Sequence, residues 1–169
     1  AYFENGRFIP VSGVPEGRTT AIAGDGAGNI WITNGSGGLY RLRGGTMVEH
    51  VPWDTLRLDT PATSVLPDPK HGGLWLGLAG RVAYMKDREI RASYAAADGL
   101  AEGRVNDLRF DSDGALWVAL ERGLSQLNNG HVATLTSRNG LPCDGVHWTM
   151  EDADQSVWLY MTCGLVRIA

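Results

Sequence analysis

A unit of fourteen residues, DSDGALWVALERGL from Asp111 to Leu124, recurs along the chain with one tryptophan at its centre. Related stretches run from Asp25 to Leu39, from Asp68 to Val82 and from Asp152 to Leu165. Their tryptophans, Trp31, Trp75, Trp117 and Trp158, are spaced by 44, 42 and 41 residues. A period of this size is the signature of stacked repeats, in which each unit buries its apolar faces only against its neighbours.

Around each tryptophan the pattern is that of short strands. From Thr19 the first copy reads as strand (TTAIAG), polar turn, strand (NIWIT), Gly-rich turn, strand (LYRLR), Gly44-Gly45 turn and strand (TMVEHV). Four strands joined by hairpins form an antiparallel meander. Full copies span residues 19–51, 62–94 and 104–136, and a fourth, 145–169, lacks its last strand. Residues 1–12, two alternating runs about Asn5-Gly6, match the tail of a preceding copy, so 1–169 reads as one repeat segment. The second copy is the most divergent, with Pro67, Pro69, and Arg81 where the others have Gly38, Gly123 and Gly164. In the fourth, Gln155 stands where the turn calls for glycine.

The repeated residues have physical roles. The aspartate accepts hydrogen bonds from turn amides, glycine supplies positive φ, and the apolar-Trp-apolar triplet reads as a strand buried on both faces. A lone four-stranded sheet cannot bury two faces, so neighbouring sheets must stack on it, with each tryptophan covering about 150 to 250 Å² between them. The fold class is all-β: a β-propeller, each copy one blade. A β-sandwich is the alternative home for the tryptophans, but it has no need of even spacing. Four blades would close into a small ring if Arg7 to Val11 supplied the strand missing after Ile168. An open arc is preferred, because four blades demand unusual angles between sheets.

The formal charge of −4 and pI near 5.5 argue against nucleic acid and anionic membrane as partners. No apolar run reaches the roughly 18 to 20 residues of a membrane span, so this segment is not expected to insert into a bilayer. The start at Ala1 without Met suggests a piece of a longer protein. Cys143 and Cys163 are too few for a structural zinc site. Alternate turns of a meander share one face, so these two either form a disulfide, which would suit an oxidising compartment, or remain free thiols.

Catalytic and metal-binding patterns are weak. His50, His71, His131 and His147 fall at different places within different copies, and Glu151, Asp152 and Asp154 lack the further ligands of a calcium loop. Turn chemistry explains those acids, and Asp111 and Asp113 read the same way. Neither a nucleophile motif nor a phosphate loop is found, and no metal or cofactor is expected. Carboxylates on different blades could supply glycosidase chemistry that spacing does not reveal. A ligand would meet the face made by the inter-blade connections and the turns between second and third strands. Its candidates are Asn34, Ser36, Arg81, Glu121, Arg122, Tyr160 and Thr162, with Arg104, Arg138 and Trp148 near the starts of the blades. Arginine with aromatic groups suits a sugar, a carboxylate or a protein surface.

The grammar D-x-x-G-x-L-W-[VI]-x-x-x-x-G-L, preceded by DGL or NGLP, resembles the two-component regulator propeller repeat of periplasmic sensor regions in bacterial hybrid histidine kinases. It is carried by Asp98-Gly99-Leu100 with Asp111, Gly114, Leu116, Trp117, Gly123 and Leu124, and by Asn139-Gly140-Leu141-Pro142 with Asp152, Trp158, Gly164 and Leu165. The resemblance implies a larger, seven-bladed ring, periplasmic location and a non-catalytic role in signal input. Its expected partners are a small ligand such as a carbohydrate, neighbouring blades and, in the whole sensor, a second copy. A propeller enzyme such as a lyase and a protein-interaction scaffold are the alternatives.

Overall fold

The computed structural model describes residues 1–168. Wherever an apolar run lies between turn signals the chain forms a strand. The N-terminal residues make a short hairpin, β1 (Tyr2–Glu4) with β2 (Arg7–Ile9). The first full sheet holds β3 (Thr19–Gly24), β4 (Asn29–Asn34), β5 (Gly38–Arg43) and β6 (Thr46–Val51). The second holds β7 (Ser64–Pro67), β8 (Leu74–Gly77), β9 (Arg81–Lys86) and β10 (Glu89–Ala95). The third holds β11 (Val105–Phe110), β12 (Leu116–Leu120), β13 (Gly123–Asn128) and β14 (His131–Leu135). The fourth has three strands, β15 (Val146–Glu151), β16 (Val157–Met161) and β17 (Gly164–Ile168). Each is an antiparallel meander in sequence order, and the first strands β3, β7, β11 and β15 pack side by side along the inner edge.

The arc is open. Among the described residues β1 and β2 pair only with each other, and β17 pairs only with β16. Val11 and Val14, just after the hairpin, pack on Ile32, Tyr40, Leu42 and Met47 of the first sheet. The N-terminal stretch packs on the first sheet without pairing with β17, the strand beside which a small closed ring would need it to lie.

Successive sheets are joined by packing and by one recurring side-chain bond. Thr20 donates to the Ala62 carbonyl at 2.7 Å, Thr63 to the Val105 carbonyl at 2.7 Å, and Asn106 Nδ2 to the Val146 carbonyl at 2.8 Å. The pairing register shifts at Thr20, Asn106 and His147, and such a bulge turns one side chain out of its own sheet. The packing contribution comes from interlocked clusters. Leu39 of the first sheet joins Val65, Leu74 and Leu76 of the second, Val82 of the second joins Val105, Leu116 and Val118, and Leu124 of the third joins Val146, Val157 and Leu159. All of these are buried.

The tryptophans depart from expectation. Trp31, Trp75 and Trp117 do pack against the cluster of the following sheet, but each is half-exposed instead of enclosed. The reason is a polar tether at the rim. Nε1 of Trp31, Trp75, Trp117 and Trp158 donates to Oδ2 of Asp25, Asp68, Asp111 and Asp152 at 3.3, 3.2, 2.9 and 2.7 Å. The other oxygen of each carboxylate takes turn amides: Ala27 and Asn29, Lys70 and His71, Ala115, and Asp154 and Ser156. Burial pushes the Asp25 and Asp68 carboxyls up, yet these donors outweigh it and both lie below the usual range. The Trp158 indole and the Ser156 amide likewise hold Asp152 below its ordinary range.

The divergent turns keep this device. Asp68 grips its turn despite Pro67 and Pro69. Gln155 takes φ of 61°, the left-handed conformation that Gly28 and Gly114 supply in the first and third sheets. A non-glycine residue there costs about 1 to 2 kcal/mol. Gln155→Gly is therefore expected to raise unfolding free energy by about 1 kcal/mol in urea titration. Asp111→Ala, which strands the Trp117 indole and the Ala115 amide, is expected to lose about 1.5 to 3 kcal/mol in the same measurement. Asp113, an exposed turn residue, is expected to tolerate alanine within about 0.5 kcal/mol.

Candidate functional site

One end of the arc carries the turns between second and third strands together with the connections from sheet to sheet. Backbone bonds weld the two sets: Gly35 donates to Arg18, Gly80 to Gly103, Glu121 to Arg104 and Thr162 to Gly145, at 2.9, 2.9, 3.2 and 2.8 Å. A short 3-10 helix, Trp53–Leu56, adds a buried bond from Trp53 Nε1 to the Asn34 carbonyl at 2.9 Å. This end is a rigid platform of loops.

The candidate residues divide among several places on it. Asn34 is fully buried, and its side-chain oxygen accepts from Ser36 N, Ser36 Oγ and Gly37 N, so it and Ser36 shape a turn. Arg81 pairs at 2.8 Å with exposed Asp59, in the connection that leads into its own sheet. Arg122 faces Glu102 at 3.7 Å. Arg138 stands in the connection to the fourth sheet, near Asp144. The Ser137 amide and hydroxyl, aided by Arg138 and Arg122, hold the Asp144 carboxyl below its ordinary range. In the same region Cys143 and Cys163 form a disulfide with Cα atoms 6.2 Å apart. Thr162 is next to Cys163 in the chain, with Oγ1 3.3 Å from His147 Nε2.

Trp148 and Tyr160 lie elsewhere. They are cross-strand partners within the fourth sheet, 36% and 56% exposed, and Arg109 of the third sheet lies 4.7 Å over the Trp148 ring. The same cross-strand pair is Ala21–Thr33 in the first sheet, Ser64–Gly77 in the second and Asp107–Ala119 in the third. In those three sheets the position faces the next blade and is kept small; a Cβ on Gly77 would strike the Val105 side chain. Trp148 and Tyr160 thus stand on paired strands of the fourth sheet, at the position kept small where another blade follows, and not in the loops of the platform. Asp107 shows what such a position demands: burial raises its carboxyl above the ordinary range although the Thr149 amide and Arg109 bind it.

Arg104 and Glu121 do come together, and they do so at the inner edge of the arc. Glu121 accepts from the Arg104 amide at 3.1 Å and meets its guanidinium at 3.4 Å. Beside them is a hollow of about 230 Å³ lined by Arg18, Thr19, Thr20, Thr63, Arg104, Val105 and Asn106. Of these, Arg104 alone is among the candidates that residue type and place in the repeat mark out. A signal for Arg18 exists in the sequence: it stands two residues before Thr20, as Arg104 stands two before Asn106. Aligning the copies on their tryptophans leaves that lead-in out of register, because the spacing from lead-in to tryptophan varies.

A larger hollow, about 1010 Å³, opens at the other end of the arc, lined among others by Asp25, Trp31, Arg41, Glu49, Asp68 and Arg88. Its polar groups are already engaged. Asp25 and Asp68 hold the tryptophans, Arg41 lies 5.4 Å over the Trp31 ring, and Glu49 is gripped by Arg41 and Arg88, each at 2.9 Å. Among the described residues no group of three or more His, Cys, Asp or Glu is placed to hold a metal ion, and no helix is long and apolar enough to cross a membrane.

No protein-family model and no curated protein matches the chain. Solved structures do match in fold. The extracellular domain assigned to the hybrid two-component system BT3049 of B. thetaiotaomicron superposes with a TM-score of 0.72 at 19% identity, covering 89% of this chain and 23% of that one. The WD40 β-propeller domain of Doa1 gives 0.66 at 12% identity over 91% of this chain and 52% of that one. A catalytically inactive virginiamycin B lyase of Staphylococcus aureus gives 0.68 at 17% identity over 92% and 57%. The chain spans about a quarter of the BT3049 domain. These likenesses establish the propeller fold, and the first agrees with the family that the repeat grammar resembles.

The disulfide closes a 20-residue separation, for which loop-closure arithmetic gives about 3 kcal/mol. Cys143→Ser with Cys163→Ser is expected to lower the urea-unfolding free energy by about that amount, and reductant to do the same to the wild-type chain but not to the double variant.

Proposed function

We propose that this chain is a non-catalytic signal-input segment of a periplasmic sensor, part of a two-component hybrid histidine kinase, and that it binds a small ligand on the loop platform at the channel mouth. The observation that carries this reading is the superposition on the extracellular domain of a hybrid two-component system across 89% of the chain. It is supported by the two-component propeller grammar of the repeats. A platform of loops welded to a rigid arc suits recognition, since a ligand there contacts several blades at once.

The lyase likeness in fold favours a second reading, an enzyme working at the channel. Proton transfer needs a histidine or a carboxylate poised at the reacting atoms. The hollow is lined by arginine, threonine, valine and asparagine, which bind and orient, and Glu121, the carboxylate beside it, is engaged by the Arg104 amide and guanidinium. Binding is therefore the better supported function, and a carbohydrate or a similar hydroxylated nutrient is the ligand class proposed.

The coding sequence beyond residue 169 is expected to continue into a membrane-spanning helix and a histidine kinase, and the cognate ligand to change kinase-dependent transcription in a reporter strain. A downstream enzyme domain with neither helix nor kinase would overturn the assignment. In a thermal-shift panel of mono- and oligosaccharides, a true ligand at 100 times its Kd is expected to add about 2.7 kcal/mol of stability.

A further inference from the structure

We infer that the channel mouth recognises a carboxylate: the site formed by Arg18, Thr19, Arg104 and Asn106 takes a small, hydroxyl-bearing monoanion. The inference rests on the ligand-binding reading above and gives that ligand a chemical class.

Repeat position brings the two arginines to one place. Residues 18, 61, 104 and 145 stand two places before Thr20, Thr63, Asn106 and His147, and they are Arg, Pro, Arg and Gly. Arg18 of the first copy and Arg104 of the third thus line the same hollow, while the second, between them, has at that position Pro61, which is short and has no donor. Guanidinium groups present planar forks of donors matched to carboxylate oxygens.

Charge decides how many negative charges the site takes. Arg104 is already faced by Glu121 at 3.4 Å, whereas Arg18 has no acidic partner among the described residues. One positive charge is left over, which suits a carboxylate better than a phosphate dianion. The remaining groups suit hydroxyls. Thr19 Oγ1 makes no side-chain hydrogen bond among the described residues, and Asn106, its Nδ2 committed to the Val146 carbonyl, has its Oδ1 free to accept. The hollow of about 230 Å³ has the volume of about eight waters, enough for one small molecule or for the terminal unit of a longer one.

The test is calorimetric titration of the full chain with D-glucuronate, acetate and the neutral D-glucose, alongside NMR titration of the arginine Nε–H signals. Glucuronate is expected to bind at least tenfold more tightly than glucose and to shift the Arg18 and Arg104 signals. Acetate, which has the carboxylate without the hydroxyls, is expected to shift the same signals at higher concentration. Arg18→Gln is expected to weaken glucuronate tenfold or more, with Arg18→Lys intermediate because charge remains and the fork is lost. Glu121→Gln, which removes the competing carboxylate but keeps an acceptor for the Arg104 amide, is expected to tighten glucuronate severalfold; a merely structural Glu121 would not do so. Equal binding of glucose and glucuronate, glucuronate affinity unchanged in Arg18→Gln, or no glucuronate binding at tens of millimolar would each overturn the inference. None of these outcomes touches the sensor assignment, which the downstream coding sequence and the reporter decide.

Discussion

The architecture depends on a carboxylate with two duties. In each of the four copies one oxygen of the aspartate takes turn amides and the other takes the tryptophan indole. A turn and a large ring are thereby fixed by one group, which sets where the ring lies when the next blade arrives. Charge-assisted bonds of this kind are roughly twice as strong as neutral ones. This also explains why the indoles are half-exposed: burying them fully would carry the carboxylate away from the rim where the turn needs it.

The second constraint lies at the inner edge, where one residue of the first-strand region reaches across to the next blade's backbone at each of the three seams. Thr20, Thr63 and Asn106 differ in chemistry but share a donor, and a carbonyl on the neighbouring blade is all that the bond requires. Because those bonds fix the spacing of the first strands, they also fix the distance between residues that precede them. The channel mouth inherits its geometry from the seam.

Much of this is legible in the residues. The period of the tryptophans and the Asp, Gly and Leu around them specify blades, because turn chemistry and strand alternation act over a few residues and need no distant partner. The loop platform follows from the same logic, and Arg104 and Glu121 meet there. Trp148 and Tyr160 do not join them: strand residues beside a loop look like loop-face residues until the register shows which face of the sheet they occupy. Arg18 is hidden in the sequence because its importance lies in lining the same hollow as Arg104, 86 positions away, across an intervening blade.

The sequence by itself determined the repeat, the meander within it and the turn in which each aspartate sits, since these follow from local conformational preference. Tertiary structure alone decided that the arc stays open, that the tryptophans are tethered at a rim, that Cys143 meets Cys163, and that two arginines share one hollow. Each of those outcomes depends on distances between segments far apart in the chain, and such distances are set by the packing of buried side chains within and across the seams, which no single turn contains.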